Sequence, residues 1–469
     1  MSSPNPTAHY PSQNCRYFAA LVLFLLALSC AGCTKVTKGG EPKPKPKPEP
    51  PKPVPTSLIT WLGNPTRDFY GTGPWKEGVL TVGWEFKTSS ISGRFHEDPW
   101  AGTSWPGQPS VDSERVYFPS ADGNTYALKR SDGSLVWKFK GKDSFKSTPT
   151  ISGDRIIASG LDHHVYCLHA TDGSLIWDYE TGFEVDGSAA VIGDRVYFGS
   201  EDHSFYCLNL ANGKLVYKVL VGSVEGSVTA KDDRIYLSTE QGELFCLNPA
   251  DGQVVWKAKI GADSDSTPAV ANGMVYTAAE DGVVRAYKEA TGELVWEYVT
   301  EGNHLYHGNE KKGIWASPIF YDNKIYIGAG DGYMHCLTAD KGELVWRYKA
   351  HGQIWGSAPV IDDRVVFGDK AGWLNMVSAK DGKLISELKI GDNVNSTAAV
   401  IDGEIYIGAF MGKLYRLDLK PKPPEPEKTE TPKGTGRRHR PASRKHKPLL
   451  NQPTVKDASP GLATGTTDH

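Results

Sequence analysis

Across residues 78–419, apolar and polar residues alternate over runs of four to six positions, as in Arg195-Val196-Tyr197-Phe198-Gly199, and Asp-Gly, Asn-Gly or Thr-Gly pairs break the runs. Alternation with period two predicts half-buried strands, and such pairs suit two-residue hairpins because the turn demands positive φ. The runs themselves repeat. Asp122-Gly123-Asn124-Thr125-Tyr126-Ala127-Leu128, followed by Asp132-Gly133-Ser134-Leu135-Val136-Trp137, returns as Asp162-His163-His164-Val165-Tyr166-Cys167-Leu168, followed by Asp172-Gly173-Ser174-Leu175-Ile176-Trp177. One position of this unit is held by Trp84, Trp137, Trp177, Tyr217, Trp256, Trp296, Trp346 and Ser386, at spacings of 53, 40, 40, 39, 40, 50 and 40. A 40-residue unit of four short strands cannot bury both sheet faces alone, whereas copies set radially around an axis can. The chain is therefore predicted to be all-β, an eight-bladed β-propeller of four-stranded antiparallel blades. The strand around Trp84 has no preceding partner strand and the last copy, around Tyr415, has no tryptophan strand after it. The N-terminal strand is expected to close the last blade and remove both free edges.

The unit Asp-Gly-x-x-Tyr-x-Leu, followed by Gly-x-[Leu/Val]-[Val/Ile]-Trp, resembles the repeat of pyrroloquinoline-quinone-like (PQQ-like) propellers. A WD40 reading fails for lack of Gly-His and Trp-Asp pairs in register, and kelch fails on period. The resemblance implies that Trp84, Trp137, Trp177, Trp256, Trp296 and Trp346 dock neighbouring blades and belong to the core.

The ends differ in composition. Residues 1–33 read as a lipoprotein signal peptide, with 16 residues at 17–32 that are too few for the roughly 20 of a spanning helix. Its end, Leu28-Ser29-Cys30-Ala31-Gly32-Cys33, resembles the bacterial lipobox, with Cys30 the expected lipidation site and Cys33 the alternative. Residues 34–56 form a Pro/Lys-rich linker whose prolines favour extended polyproline II, a stalk between membrane and domain. Residues 57–419 are the propeller, and 420–469 a disordered, basic, Pro-rich tail with Arg437-Arg438-His439-Arg440 and Arg444-Lys445-His446-Lys447.

A formal net charge of −3 does not indicate a nucleic-acid partner. Cys167, Cys207, Cys246 and Cys336 recur at one repeat position, a blade apart, which is too far for disulfides and consistent with small buried side chains.

Candidate chemistry gathers where each inner strand begins, at Ser-Thr-Pro or a variant. Aligned there, the repeats place Pro106, Lys146, Asp186, Glu225, Asp265, Trp315, Trp355 and Asn395 around the axial mouth. Three successive acids beside two tryptophans suit a cationic or extended peptide segment, by charge and by cation–π contact. The two insertions add candidate binding residues, Trp100 and Trp105 in one and His304, Tyr306 and His307 in the other. The histidines lack a completing ligand set, and no metal site is expected.

Quinoprotein dehydrogenases of this fold hold their cofactor on the axis with calcium, an Asp base, a stacking Trp and an adjacent-cysteine disulfide. This chain has no Cys-Cys pair, and although Asp186, Glu225 and Asp265 can supply oxygens, Trp315 stands where a base would be needed. PQQ with calcium is not expected, no nucleophile elbow, phosphate loop or His-Glu-x-x-His occurs, and the chain is read as no enzyme. Lipobox, stalk and single propeller together resemble the lipoprotein subunits of the outer-membrane β-barrel assembly machinery. That implies a monomeric, lipid-anchored scaffold in the bacterial cell envelope, at the periplasmic face of the outer membrane, bound to protein partners such as a β-barrel insertase. The Leu-x-Leu-Arg contact stretch of that family is missing from the interblade loops. An envelope ligand sensor and a quinone-dependent oxidoreductase with an atypical site are the alternatives.

Overall fold

The computed structural model describes residues 56–88, 107–301, 313–391, 393–410 and 412–421. Within them lie eight four-stranded antiparallel sheets, the blades of a propeller. Blade 1 is built from Ser110–Val111, Arg115–Pro119, Asn124–Lys129 and Leu135–Lys140, and blades 2 to 7 repeat that order. Blade 8 combines Ala399–Ile401, Glu404–Ala409 and Lys413–Lys420 with the N-terminal strand Val79–Lys87 as its outermost member, Val79 lying opposite Lys420 and Lys87 opposite Lys413. Among the described residues no helix is long and apolar enough to cross a membrane.

The repeat explains how blades join. Each tryptophan of an outer strand gives its indole N–H to a backbone carbonyl of the next blade: Trp84 to Arg130 at 3.2 Å, Trp137 to Ala170 and Trp177 to Leu210 at 2.9 Å, Trp256 to Glu289 at 2.9 Å, Trp296 to Ala339 and Trp346 to Ala379 at 3.0 Å. Tyr217 donates its hydroxyl to Pro249 O at 2.8 Å, and the Ser386 hydroxyl accepts the Leu80 N–H at 3.0 Å. The ring also lies flat on a glycine of the neighbouring turn. A Cβ on Gly173 would stand 2.6 Å from Trp137 Cε3, and its φ is +72°. Gly173→Ala is expected to lower stability by about 2–3 kcal/mol in denaturant unfolding, through the clash as well as the backbone. Gly153→Ala, at φ +60° with nothing within 4 Å, supplies the comparison and should cost about 1 kcal/mol.

The Ser-Thr-Pro variants form a second joint, nearer the axis. The backbone N–H of Thr148 donates to Ser188 Oγ at 2.8 Å, that of Ser188 to Ser227 Oγ at 2.8 Å, and that of Ser227 to Thr267 Oγ1 at 3.1 Å. The series continues from Thr267 to Ser317, Ser317 to Ser357 and Ser357 to Thr397, and Gln108 N–H donates to Thr148. Gln108 Nε2 closes the circle on Ala398 O at 2.7 Å. A buried backbone donor needs a partner, and here each blade receives it from the next.

Residues 56–75, which precede the first blade strand, run across the ends of the inner strands as a strap. Leu58 exchanges two backbone hydrogen bonds with Val111, Ile59 O accepts from Ile151 N–H, and Pro65 O accepts from Ala230 N–H. Thr60 Oγ1 reaches Ala189 O, Tyr70 Oη accepts from Phe320 N–H, Thr72 N–H donates to Val400 O, and Trp75 Nε1 donates to Ile361 O. Through these hydrogen bonds the strap engages seven of the eight blades. Its anchor is Arg67, 1% exposed, whose guanidinium donates to Val228 O at 2.8 and 3.2 Å and to Trp61 O. Desolvation pushes the Arg67 pKa down to about 9, which leaves it charged at neutral pH.

Cys167, Cys207, Cys246 and Cys336 are buried free thiols opposite Trp177, Tyr217, Trp256 and Trp346. Burial pushes the Cys167, Cys207 and Cys246 thiols up to about 11, so they stay protonated and act as small core side chains.

Candidate functional site at the axial mouth

The turns before the inner strands of blades 2 to 6 each bring one side chain to a shared cavity. Lys146, Asp186, Glu225, Asp265 and Trp315 line one cavity there, of about 50 Å³, together with Trp61. Trp61 comes from the strap, which so forms part of the wall of this well. Trp355 and Asn395 are buried at the same level without lining the cavity, and Trp355 packs on Trp315 with ring centroids 4.7 Å apart. Pro106, Trp100, Trp105, His304, Tyr306, His307, Cys30, Cys33 and the basic tail lie outside the described residues.

The two halves of the mouth differ in charge. Lys146 Nζ sits 2.8 Å from Asp186 Oδ2. Burial alone would lower the Lys146 pKa, but Asp186, with Glu225 and Glu201 beyond it, holds the ammonium above its ordinary range. The Glu225 and Asp265 carboxyls are held well above the usual carboxylate range, first by desolvation and then by repulsion from neighbouring acids. On the aromatic side, Trp315 Nε1 donates to Glu280 Oε1 at 2.7 Å and Lys370 Nζ stands 3.5 Å from the Trp355 ring centroid.

A second tier behind the mouth was not found by aligning inner strands. Glu201, Glu240, Glu280 and Lys370 each follow the second strand of a blade, and their backbone N–H groups donate to Glu184, Ser223, Asp263 and Gln353 carbonyls. The spacing 201, 240, 280 is a signal that alignment on the second strand exposes. Trp61 has no such signal, because it lies outside the repeat.

Residues 113–419, well over half of the chain, match the protein family described as "Beta-alanine-activating enzyme, beta-propeller". The chain belongs to that family. Among curated proteins none matches the sequence. Solved structures share this family's fold at low identity. BamB from Moraxella catarrhalis superposes with a TM-score of 0.58 at 18% identity, over 73% of this chain and 98% of that one. Quinohemoprotein alcohol dehydrogenase from Comamonas testosteroni does so with a TM-score of 0.65 at 13% identity, over 79% and 82%. A europium-containing methanol dehydrogenase gives 0.63 at 14%, over 78% and 98%. At these identities the likeness is one of fold.

Proposed function

We propose that the protein is a membrane-anchored, non-enzymatic scaffold of the bacterial envelope whose propeller grips a cationic segment of a protein partner at the axial mouth. The observation that carries this reading is the asymmetric mouth, with the carboxyl groups of Asp186, Glu225 and Asp265 on one side and the indole of Trp315, backed by Trp355, on the other. An entering lysine or arginine relieves the repulsion that keeps Glu225 and Asp265 protonated, and gains cation–π contact from Trp315. The lipobox-like leader and proline-rich stalk support attachment to a membrane through Cys30 or Cys33. Outer-membrane β-barrel assembly, at the periplasmic face, is the setting we favour, on the leader, stalk and single propeller taken together.

A quinone cofactor does not suit these residues. A well of about 50 Å³ lined in part by Trp61 is several-fold smaller than the pockets of about 300–1,000 Å³ that hold drug-sized ligands. We accordingly assign no cofactor and no catalytic residue.

Crosslinking in envelope membranes with the intact protein, read by mass spectrometry, tests the reading. The native chain is expected to recover a β-barrel insertase or its clients, and a Cys30→Ala, Cys33→Ala chain to lose them. Trp315→Ala with Trp355→Ala should cut recovery about tenfold or more, as loss of aromatic anchors does at other interfaces. Equal recovery from native, anchorless and mouth-altered chains would sink the proposal.

A further inference from the structure

The geometry points to a divalent-cation site of the calcium class behind the mouth, formed by Glu184, Asp186 and Glu201. It goes beyond the scaffold reading and does not depend on it. One carboxylate oxygen from each of the three residues lies within 4.8 Å of the other two. An ion bound by oxygens at about 2.3–2.6 Å keeps donors on its opposite sides no more than about 5 Å apart, so all three fit one coordination sphere. Glu201 also belongs to a second such group, with Glu225 and Glu240. Two blades therefore converge on Glu201.

The burial of Asp186 makes this more than an acidic patch. The residue is 8% exposed and lines the axial well. Its Oδ2 accepts from Lys146, while Oδ1 is sealed from solvent and has no hydrogen-bond partner. A buried carboxylate oxygen without a donor costs free energy that an ion recovers directly. Glu184 is 6% exposed, and Glu201 is half-buried.

The donor set selects the ion. All the donors are carboxylate oxygens, with no imidazole or thiolate, which suits calcium or magnesium and disfavours zinc and copper. Three protein oxygens leave several positions to water, which calcium's flexible coordination of six to eight accepts more readily than magnesium's strict octahedron. The backbone bond from Glu201 N–H to Glu184 O, at 3.0 Å, holds two of the ligands in register before any ion arrives.

The test uses the intact chain, stripped with chelator and titrated with Ca2+ and, separately, Mg2+, by calorimetry and by thermal unfolding. Saturable Ca2+ binding that raises Tm is expected, with weaker binding of Mg2+. Glu201→Gln is expected to weaken Ca2+ binding by about 100-fold or more. Without the ion this variant should be at least as heat-stable as the native chain, because it removes one charge from a repelling group; that readout separates ligand loss from misfolding. Glu184→Gln is the second variant and should weaken binding in the same direction. An unchanged Tm in millimolar Ca2+ and Mg2+ overturns the site, and so does Ca2+ affinity that Glu201→Gln and Glu184→Gln both leave at the native value.

Discussion

Arg67→Ala is expected to lower the free energy of unfolding by about 4 kcal/mol, the largest single-residue effect foreseen for this chain. The side chain is 1% exposed and satisfies Val228 O and Trp61 O together. Truncation leaves those carbonyls buried without that donor and opens a cavity where the guanidinium lay, two costs that add. The strap should loosen before the blades do. Limited proteolysis then cuts the variant within residues 56–75 under conditions where the native chain is resistant, while denaturant unfolding followed by tryptophan fluorescence reports the stability loss. A loss below about 1 kcal/mol would mean that the strap is an accessory to a ring that closes without it.

The second large effect concerns pH. In chelator the folded protein should be more stable near pH 5 than near pH 8, and Glu225→Gln or Asp265→Asn should flatten that slope. The sign follows from the raised folded-state pKa of both carboxyls, caused first by desolvation and then by their acidic neighbours. A carboxyl whose pKa is raised on folding binds its proton more tightly in the native state than in the unfolded chain, where it titrates near pH 4. That contribution is complete below the unfolded value and is lost as pH climbs toward the folded one. At pH 8 the native chain must hold a proton on each carboxyl that the unfolded chain has released, a cost the amide variants lose, so each variant should gain about 2 kcal/mol there and nearly nothing near pH 4. Thermal unfolding of the three chains across pH 4–9 measures it. Parallel profiles would mean that the mouth acids ionise freely in the folded protein.

How much of this was legible beforehand depends on whether a feature recurs. Eight blades, the closure by Val79–Lys87 and the positions of the outer-strand tryptophans all follow from a unit repeated every 40 residues, because a repeated contact must use a repeated residue. Lys146, Asp186, Glu225, Asp265 and Trp315 were placed on one cavity by the same logic. Trp355 and Asn395 share the offset but are buried and do not line the cavity, Trp355 packing against Trp315 with the rings tilted by 41°. Ser188 and Thr267 looked like strand-start residues; that their hydroxyls serve the preceding blade is a property of the ring, which one repeat in isolation cannot display. The strap was the largest omission. Residues 56–75 have no period, about half of their bonds to the blades run through backbone atoms, and an arginine among glycines and prolines reads as solvent-facing until its carbonyl partners, 161 residues away in Val228 for instance, are in place.

The strap has one more effect, on traffic. The strap sets Trp61 on the lining of the well between Asp186 and Trp315, and at about 50 Å³ that space leaves no room for a main chain to pass. A polypeptide cannot be drawn through the ring like a thread through a bead. The guest that fits is the tip of a single projecting side chain, so dissociation never has to wait for a long segment to be reeled out.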